Sequence, residues 1–153
     1  MKKIIFTLLA SLSLVACTKD FIVYEDIPAI YSFFNSGLVQ ISATSGTMNI
    51  PVSKGGYPDK VTSASIEVNS SLLIALNMTS TKQYDLMPPA CYTIDSGTVS
   101  LDVNETSGSF VICFNEDVLK SLAKGNYALP LQLKSGENVK KGQDALYLAF
   151  QKL

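Results

Sequence analysis

Apolar residues in this chain recur at every second position over short stretches. Val99, Leu101 and Val103 alternate with Ser100, Asp102 and Asn104. Met48, Ile50 and Val52 alternate with Asn49, Pro51 and Ser53. A period of two is the signature of a strand with one face buried. The pattern returns at Val39 and Ile41, at Ala64, Ile66 and Val68, along Tyr127 to Leu133, and along Leu146 to Phe150. Turn residues stand between these runs: Lys54 to Asp59 reads as a loop, and Asp95-Ser96-Gly97 and Glu105-Thr106-Ser107-Gly108 read as turns. Many short strands with little helix predict an all-β antiparallel sandwich.

The pattern also predicts pairings. Proline cannot donate to a ladder, so Pro51 places the Met48–Val52 strand at a sheet edge. If Val103 faces Phe110 across a hairpin, Leu101 faces Ile112 and Val99 faces Phe114, with all six pointing into the core. Phe21–Tyr24 and Ala29–Phe34 are further strand candidates. Two segments break the alternation. Asn69 or Ser70 is placed to cap a turn or two of helix carrying Leu72, Leu73 and Leu76, and Val118 to Ala123 is a second short helical or irregular segment.

The first seventeen residues obey another logic. Lys2 and Lys3 precede an apolar run that continues to Val15, and Leu14-Val15-Ala16-Cys17 closes it. This is the layout of a secretory signal peptide, and the run is too short to span a bilayer. With Cys17 directly after a small residue, it resembles a bacterial lipoprotein signal. That resemblance implies cleavage before Cys17, acylation of its thiol and a stable membrane anchor, since each buried methylene contributes about 0.8 kcal/mol. A plain cleaved signal peptide or a buried N-terminal helix is the alternative. The expected division is a signal over residues 1–16, an acylated cysteine and short tether over 17–20, and one domain over 21–153. Thr18-Lys19-Asp20 partly matches the acidic stretch associated with display on the outer face of the outer membrane; the periplasmic face stays open.

Cleavage leaves 137 of 153 residues, enough for an independent core. What the chain lacks excludes chemistry. It has no histidine, arginine or tryptophan. There is then no imidazole base, no usual catalytic triad, no histidine-bound zinc and no guanidinium clamp for phosphate. Ten lysines against thirteen acids after cleavage argue against nucleic acid as a partner. No cofactor is implied, and no metal site, because no acidic segment has calcium-loop spacing. Outside the cytoplasm Cys91 and Cys113 could form a disulfide. Both have outward parity, but the Val99 strand is expected between them, which would separate them by about 10 Å and favours free thiols.

From Tyr84-Asp85-Leu86-Met87-Pro88 onward the residues resemble a known family. The order is a short Leu-rich helix, tyrosine with Leu-x-Pro, Cys91-Tyr92-Thr93-Ile94, Gly97-Thr98-Val99-Ser100-Leu101, a strand ending in Phe114, and Asn126-Tyr127-Ala128-Leu129-Pro130-Leu131. It is similar to the domain of unknown function, family 1735 type, near the N-termini of Bacteroidetes surface lipoproteins used in glycan utilisation. The similarity covers roughly residues 24–150. It implies an immunoglobulin-like sandwich and an accessory role at the surface, often coupled to a polysaccharide-active partner domain. Tyr84, Leu86, Tyr127, Leu129 and Leu131 are expected in the core.

Three functional classes follow. For glycan binding, the best candidate site is Tyr57 with Asp59 and Lys60, unless the tyrosine lies back on the core. For assembly, the strands Met48–Val52 or Leu146–Phe150 could pair with a partner's strand in a surface protein complex. For hydrolysis, Asp95, Asp102, Glu105, Glu116 and Asp117 are available, but they sit at turns or outward positions, so no catalytic residue is assigned.

Overall fold

The computed structural model describes residues 27–153. The signal peptide, Cys17, the tether and the Phe21–Tyr24 strand candidate lie outside the described residues. The elements in chain order are β1 (Ile27–Phe33), β2 (Gly37–Ile41), β3 (Thr47–Tyr57), β4 (Thr62–Val68), α1 (Ser70–Thr79), β5 (Asp85–Leu86), β6 (Tyr92–Ser96), β7 (Thr98–Leu101), β8 (Ser107–Phe114), α2 (Glu116–Ser121), β9 (Gly125–Ser135), β10 (Asn138–Val139) and β11 (Ala145–Lys152). A 3-10 turn over Pro89–Cys91 precedes β6.

Two sheets pack face to face in an immunoglobulin-like sandwich. One runs β10-β1-β3-β8-β6, the other β2-β11-β9-β4-β7, with β5 added beside β9. Pairing is antiparallel except where β1 meets β10, β2 meets β11 and β5 meets β9. The alternation does what it predicts: Ala29, Tyr31 and Phe33, Ile50 and Val52, Phe110, Ile112 and Phe114, Leu129, Leu131 and Leu133, and Leu146, Leu148 and Phe150 form one core between the sheets. Phe33 and Phe110 meet edge to face, with ring centroids 6.4 Å apart.

Two runs change sheets along the sides of the sandwich. Residues 27–41 start in the first sheet as β1 and finish in the second as β2. Residues 92–101 do the same as β6 and β7. Gly37 supplies the left-handed φ of 89° at the first crossing.

The expected hairpin between residues 99–103 and 110–114 does not exist. β7 pairs with β4 and β8 pairs with β3 and β6, so the two strands belong to opposite sheets. Leu101 and Phe110 still share the core because they reach it from opposite sides, but Val103 lies in the turn, 43 % exposed. Period two reports a buried face and carries no information on which sheet supplies it.

The Met48–Val52 strand is central, between β1 and β8, and not at an edge. Pro51 is tolerated because β1 ends beside it: the register stops at Phe33↔Val52, and Phe34 N–H donates to the Pro51 carbonyl at 3.1 Å. In a strand a residue's N and C=O face the same neighbour. The missing donor therefore points where no ladder continues. Pro130 repeats the device in central β9: β4 ends at Val68↔Leu131, and Asn69 N–H donates to the Pro130 carbonyl at 3.0 Å. β11 likewise is no edge, being flanked by β2 and β9.

The predicted Lys54–Asp59 loop is strand as far as Tyr57. A register shift between Ile27 and Ile30 marks a bulge opposite it, and Gly56 takes φ 85° there. A Cβ on Gly56 would stand 2.4 Å from the Pro28 carbonyl oxygen, so the close approach of β1 requires glycine.

Both short helical segments are present, α1 running longer than expected, to Thr79, and α2 spanning Glu116–Ser121 rather than starting at Val118. Asn69 caps α1 by accepting from Ser71 N–H at 3.0 Å, and Asn115 caps α2 by accepting from Val118 N–H at 3.2 Å. α1 covers the outer face of the second sheet, where Leu73 and Tyr84 pack on Ala128 and Ala149. Ala149 pairs opposite Ala128, and these small side chains let the helix sit close. Asn77 clamps the return of the chain, its side chain bonding both N–H and C=O of Tyr84 at 2.9 Å. Leu86 departs from expectation: it is 42 % exposed, and Met87 takes the buried place.

Candidate functional site

The strand extension through the bulge decides where Tyr57 stands. It ends β3 opposite Ile27 and is 69 % exposed, not folded back on the core. Pro58 turns inward and is buried, while Asp59 and Lys60 are exposed on the connection to β4. Lys60 does not pair with Asp59. Its Nζ lies 3.5 Å from Glu137 Oε1, on the turn between β9 and β10. Glu137 is held by its own N–H donating to Ser135 Oγ at 3.1 Å. A sequence reading could not find Glu137, because it comes from a turn 77 residues away in the chain.

The same β9–β10 turn borders a shallow depression of about 240 Å³ lined by Ser63, Ser65, Thr98, Lys134, Ser135 and Gly136. Ser63 and Ser65 are the outward positions of β4, opposite Ser100 and Thr98 of β7. Ser135 Oγ donates to the Ser63 carbonyl at 2.7 Å, and Lys134 pairs with Glu67 at 3.1 Å. The signal for this surface was present as the Ser63-x-Ser65 alternation. Hydroxyls on the solvent face of a strand are ordinary, however, and only the tertiary fold puts them beside Lys134. From Tyr57 through Lys60 and Glu137 to Ser63 and Ser65, aromatic, ionic and hydroxyl groups thus lie on successive connected segments.

Lys54 is almost fully buried. Its ammonium donates to the carbonyls of Asp102 and Val103, and its backbone N–H donates to Thr106 at 2.7 Å. It ties the β7–β8 turn to β3. Opposite Lys54 in the same sheet, Tyr31 makes a buried hydrogen bond of 2.8 Å across the sandwich to Thr62 of β4 in the second sheet.

The two cysteines are free and on different faces. The 3-10 turn before β6 resets the parity, so Cys91 is fully buried and joins the core rather than facing outward. The Val99 strand does not stand between them either, since β6 pairs directly with β8. Cys113 lies on the outer face of the first sheet, where its thiol donates to Asp95 Oδ2 at 3.0 Å and lies 3.3 Å from Thr47 Oγ1. Burial raises the Cys91 thiol and the Tyr92 phenol above their ordinary pKa values, Cys91 adding to the effect on Tyr92.

The five carboxylates considered for hydrolysis are dispersed: Asp95 on β6, Asp102 and Glu105 in the β7–β8 turn, and Glu116 and Asp117 in the first turn of α2. Glu105 accepts from Asp102 N–H at 2.8 Å, and Glu116 pairs with Lys120. Among the described residues, no group of three or more cysteine or acidic side chains is placed to hold a metal ion. No helix among them is long and apolar enough to cross a membrane.

This arrangement defines an immunoglobulin-like β-sandwich module. A family model described as an N-terminal domain matches residues 29–140, nearly three quarters of the chain. The chain belongs to that family of N-terminal domains, and the resemblance to the 1735-type domain of Bacteroides proteins holds. Among solved structures it is similar to a candidate carbohydrate-binding protein from Bacteroides ovatus, with 17 % identity and a TM-score of 0.65, covering 80 % of this chain and 36 % of that one. It is similar to a multidomain B. ovatus protein that includes DUF1735, with 16 % identity and a TM-score of 0.57, covering 80 % and 43 %. It is also similar to EndoBT-3987 of Bacteroides thetaiotamicron, solved with a Man5GlcNAc product, with 20 % identity and a TM-score of 0.54, covering 76 % and 28 %. The chain thus spans well under half the length of each of these three proteins. No curated protein matches it.

Proposed function

We propose that this protein is a non-catalytic accessory module that binds glycan at the cell surface, anchored to the outer membrane through acylated Cys17. The observation that carries the reading is Tyr57: a large aromatic 69 % exposed at a sheet end, with exposed Asp59 two residues on in the chain and Lys60 bridged to Glu137. An exposed ring offers the apolar face of a sugar a flat surface, and charged groups around it direct hydrogen bonds to hydroxyls. The family match and the glycan-related names among the structural neighbours support the same reading. The Leu14-Val15-Ala16-Cys17 sequence supports the anchor, and the outer face is favoured by Lys19-Asp20. The membrane and a polysaccharide are then the two partners.

The test is a glycan array with the full chain, using host and dietary polysaccharides. Binding is expected, and Tyr57→Ala should weaken it at least tenfold while leaving the thermal midpoint within about a degree. Absence of binding across the array, or binding unchanged in Tyr57→Ala, would remove this reading.

A further inference from the structure

The outer face of the second sheet is divided. Over β9 and β11 it is apolar and covered, with Leu73 of α1 and Tyr84 packed on Ala128 and Ala149. Over β4 and β7 the outward positions are Ser63, Ser65, Glu67, Thr98 and Ser100, none of them apolar. That half gives a packed element no apolar area to bury. It holds instead the depression of about 240 Å³, and every residue lining it is among the described ones.

The wall of the depression is fixed. Ser135 Oγ donates to the Ser63 carbonyl and accepts from Glu137 N–H, which ties the β9–β10 turn to β4. The hydroxyls of Ser63, Ser65 and Thr98 make no hydrogen bond to another described residue, and each can both donate and accept. Register places Ser65 between Thr98 on one side and Lys134 on the other. Lys134 is matched by Glu67 at 3.1 Å. Gly136 leaves space, since a Cβ there would meet nothing within 4 Å.

We infer that this depression is a second saccharide subsite, taking one neutral sugar unit of a polymer whose further units reach Tyr57. The inference deepens the glycan reading and rests on it. The groups present decide the class of ligand. Hydroxyls that donate and accept match those of a sugar, which do the same. Lys134 is balanced by Glu67, and Lys60 by Glu137. A uronate or sulfate group would therefore find no unpaired ammonium, whereas a neutral ring meets a donor and an acceptor together. The volume lies below the roughly 300–1,000 Å³ of pockets that enclose drug-sized ligands, which suits a single ring. Ser63 follows Tyr57 by six positions, so the two subsites lie within about 20 Å of each other. Lys60 is midway along that connection, and its partner Glu137 adjoins Gly136. An oligosaccharide can occupy both places and a monosaccharide only one.

An NMR titration of the isotope-labelled full chain carrying Cys17→Ser tests this. The probes are glucose, galactose and mannose, their linear oligosaccharides, and polygalacturonate as the anionic control. A neutral hexose is expected to shift the amides of Ser63, Ser65, Thr98 and Gly136, and polygalacturonate is expected to leave them in place. Gly136 has no positive φ, so Gly136→Leu fills the depression without backbone strain. It should abolish those shifts and weaken oligosaccharide binding at least fivefold, with the thermal midpoint and the response at Tyr57 unchanged. Tyr57→Ala should weaken oligosaccharide binding but leave the response of the depression to a single hexose intact. A response at Tyr57 with none in the depression, or binding indifferent to Gly136→Leu, would overturn this inference and spare the glycan reading. Shifts of the same amides by polygalacturonate would overturn the neutral class. No response to any probe would overturn both.

Discussion

The two runs that change sheets do the same topological task with opposite chemistry. Residues 27–41 put Ala29, Tyr31, Phe33 and Ile41 into the core, all buried, and carry no charge. Residues 92–101 put in Tyr92, Ile94, Val99 and Leu101, of which only Leu101 is fully buried, and they carry Asp95 and a bulge. One side of the sandwich is therefore closed by deep packing, and its edge strand β2, as far as the described residues go, carries no charge, proline or bulge. The other is packed less deeply and guarded. Closing a sandwich and protecting its edge are separate physical problems, because side chains facing inward do the first and backbone groups facing sideways create the second.

The largest expected effect separates the packing of the two runs. Phe33→Ala removes a ring that contacts Phe110 and is 1 % exposed, and should cost about 3–5 kcal/mol. Ile94→Ala, at a half-buried position of β6, should cost about 1–2 kcal/mol, below the range for fully buried sites. Chemical denaturation of both variants measures the difference, and equal costs would break the contrast.

A smaller effect concerns backbone. Gly56→Ala forces a positive φ on an L residue and meets the Pro28 carbonyl of the first run, so about 1–3 kcal/mol should be lost. Gly97→Ala, between β6 and β7, meets only the Ile94 side chain at 3.2 Å and should cost less. Thermal melts of the pair rank them.

The smallest effect is electrostatic and belongs to the second run. Burial raises Cys91 above 9.0 and Tyr92 above 10.0, so the folded chain holds these protons more tightly than the unfolded chain. Their contribution is intact below about pH 9 and is lost as pH rises through the raised values. The denaturation midpoint should fall above about pH 9, and Tyr92→Phe should flatten that fall. A midpoint constant to pH 11 would show that neither group is coupled to folding.

Much of the fold was legible because inward-facing side chains write their period directly into the chain. Ile50 and Val52, Leu129 to Leu133 and Leu146 to Phe150 are buried as their alternation predicts, and Asn69 caps its helix as its side-chain chemistry predicts. The exposed Tyr57 was nameable for its type and its glycine neighbours. Neither Glu137 beside Lys60 nor the hydroxyl surface on β4 could be read, since each depends on a partner distant in the chain.

By itself the sequence determined which residues turn inward, roughly where the helices begin, and, by lacking histidine and arginine, which side-chain chemistries these residues do not carry. Only the tertiary structure decided neighbours. It made β3 central by ending β1 beside Pro51, sent β7 and β8 to opposite sheets, buried Cys91 through one 3-10 turn, and, among the described residues, put β2 at a sheet edge. The physical reason is that burial is a property of one residue's side chain and leaves a local period. Strand order is set by hydrogen bonds between distant segments, which any backbone offers alike.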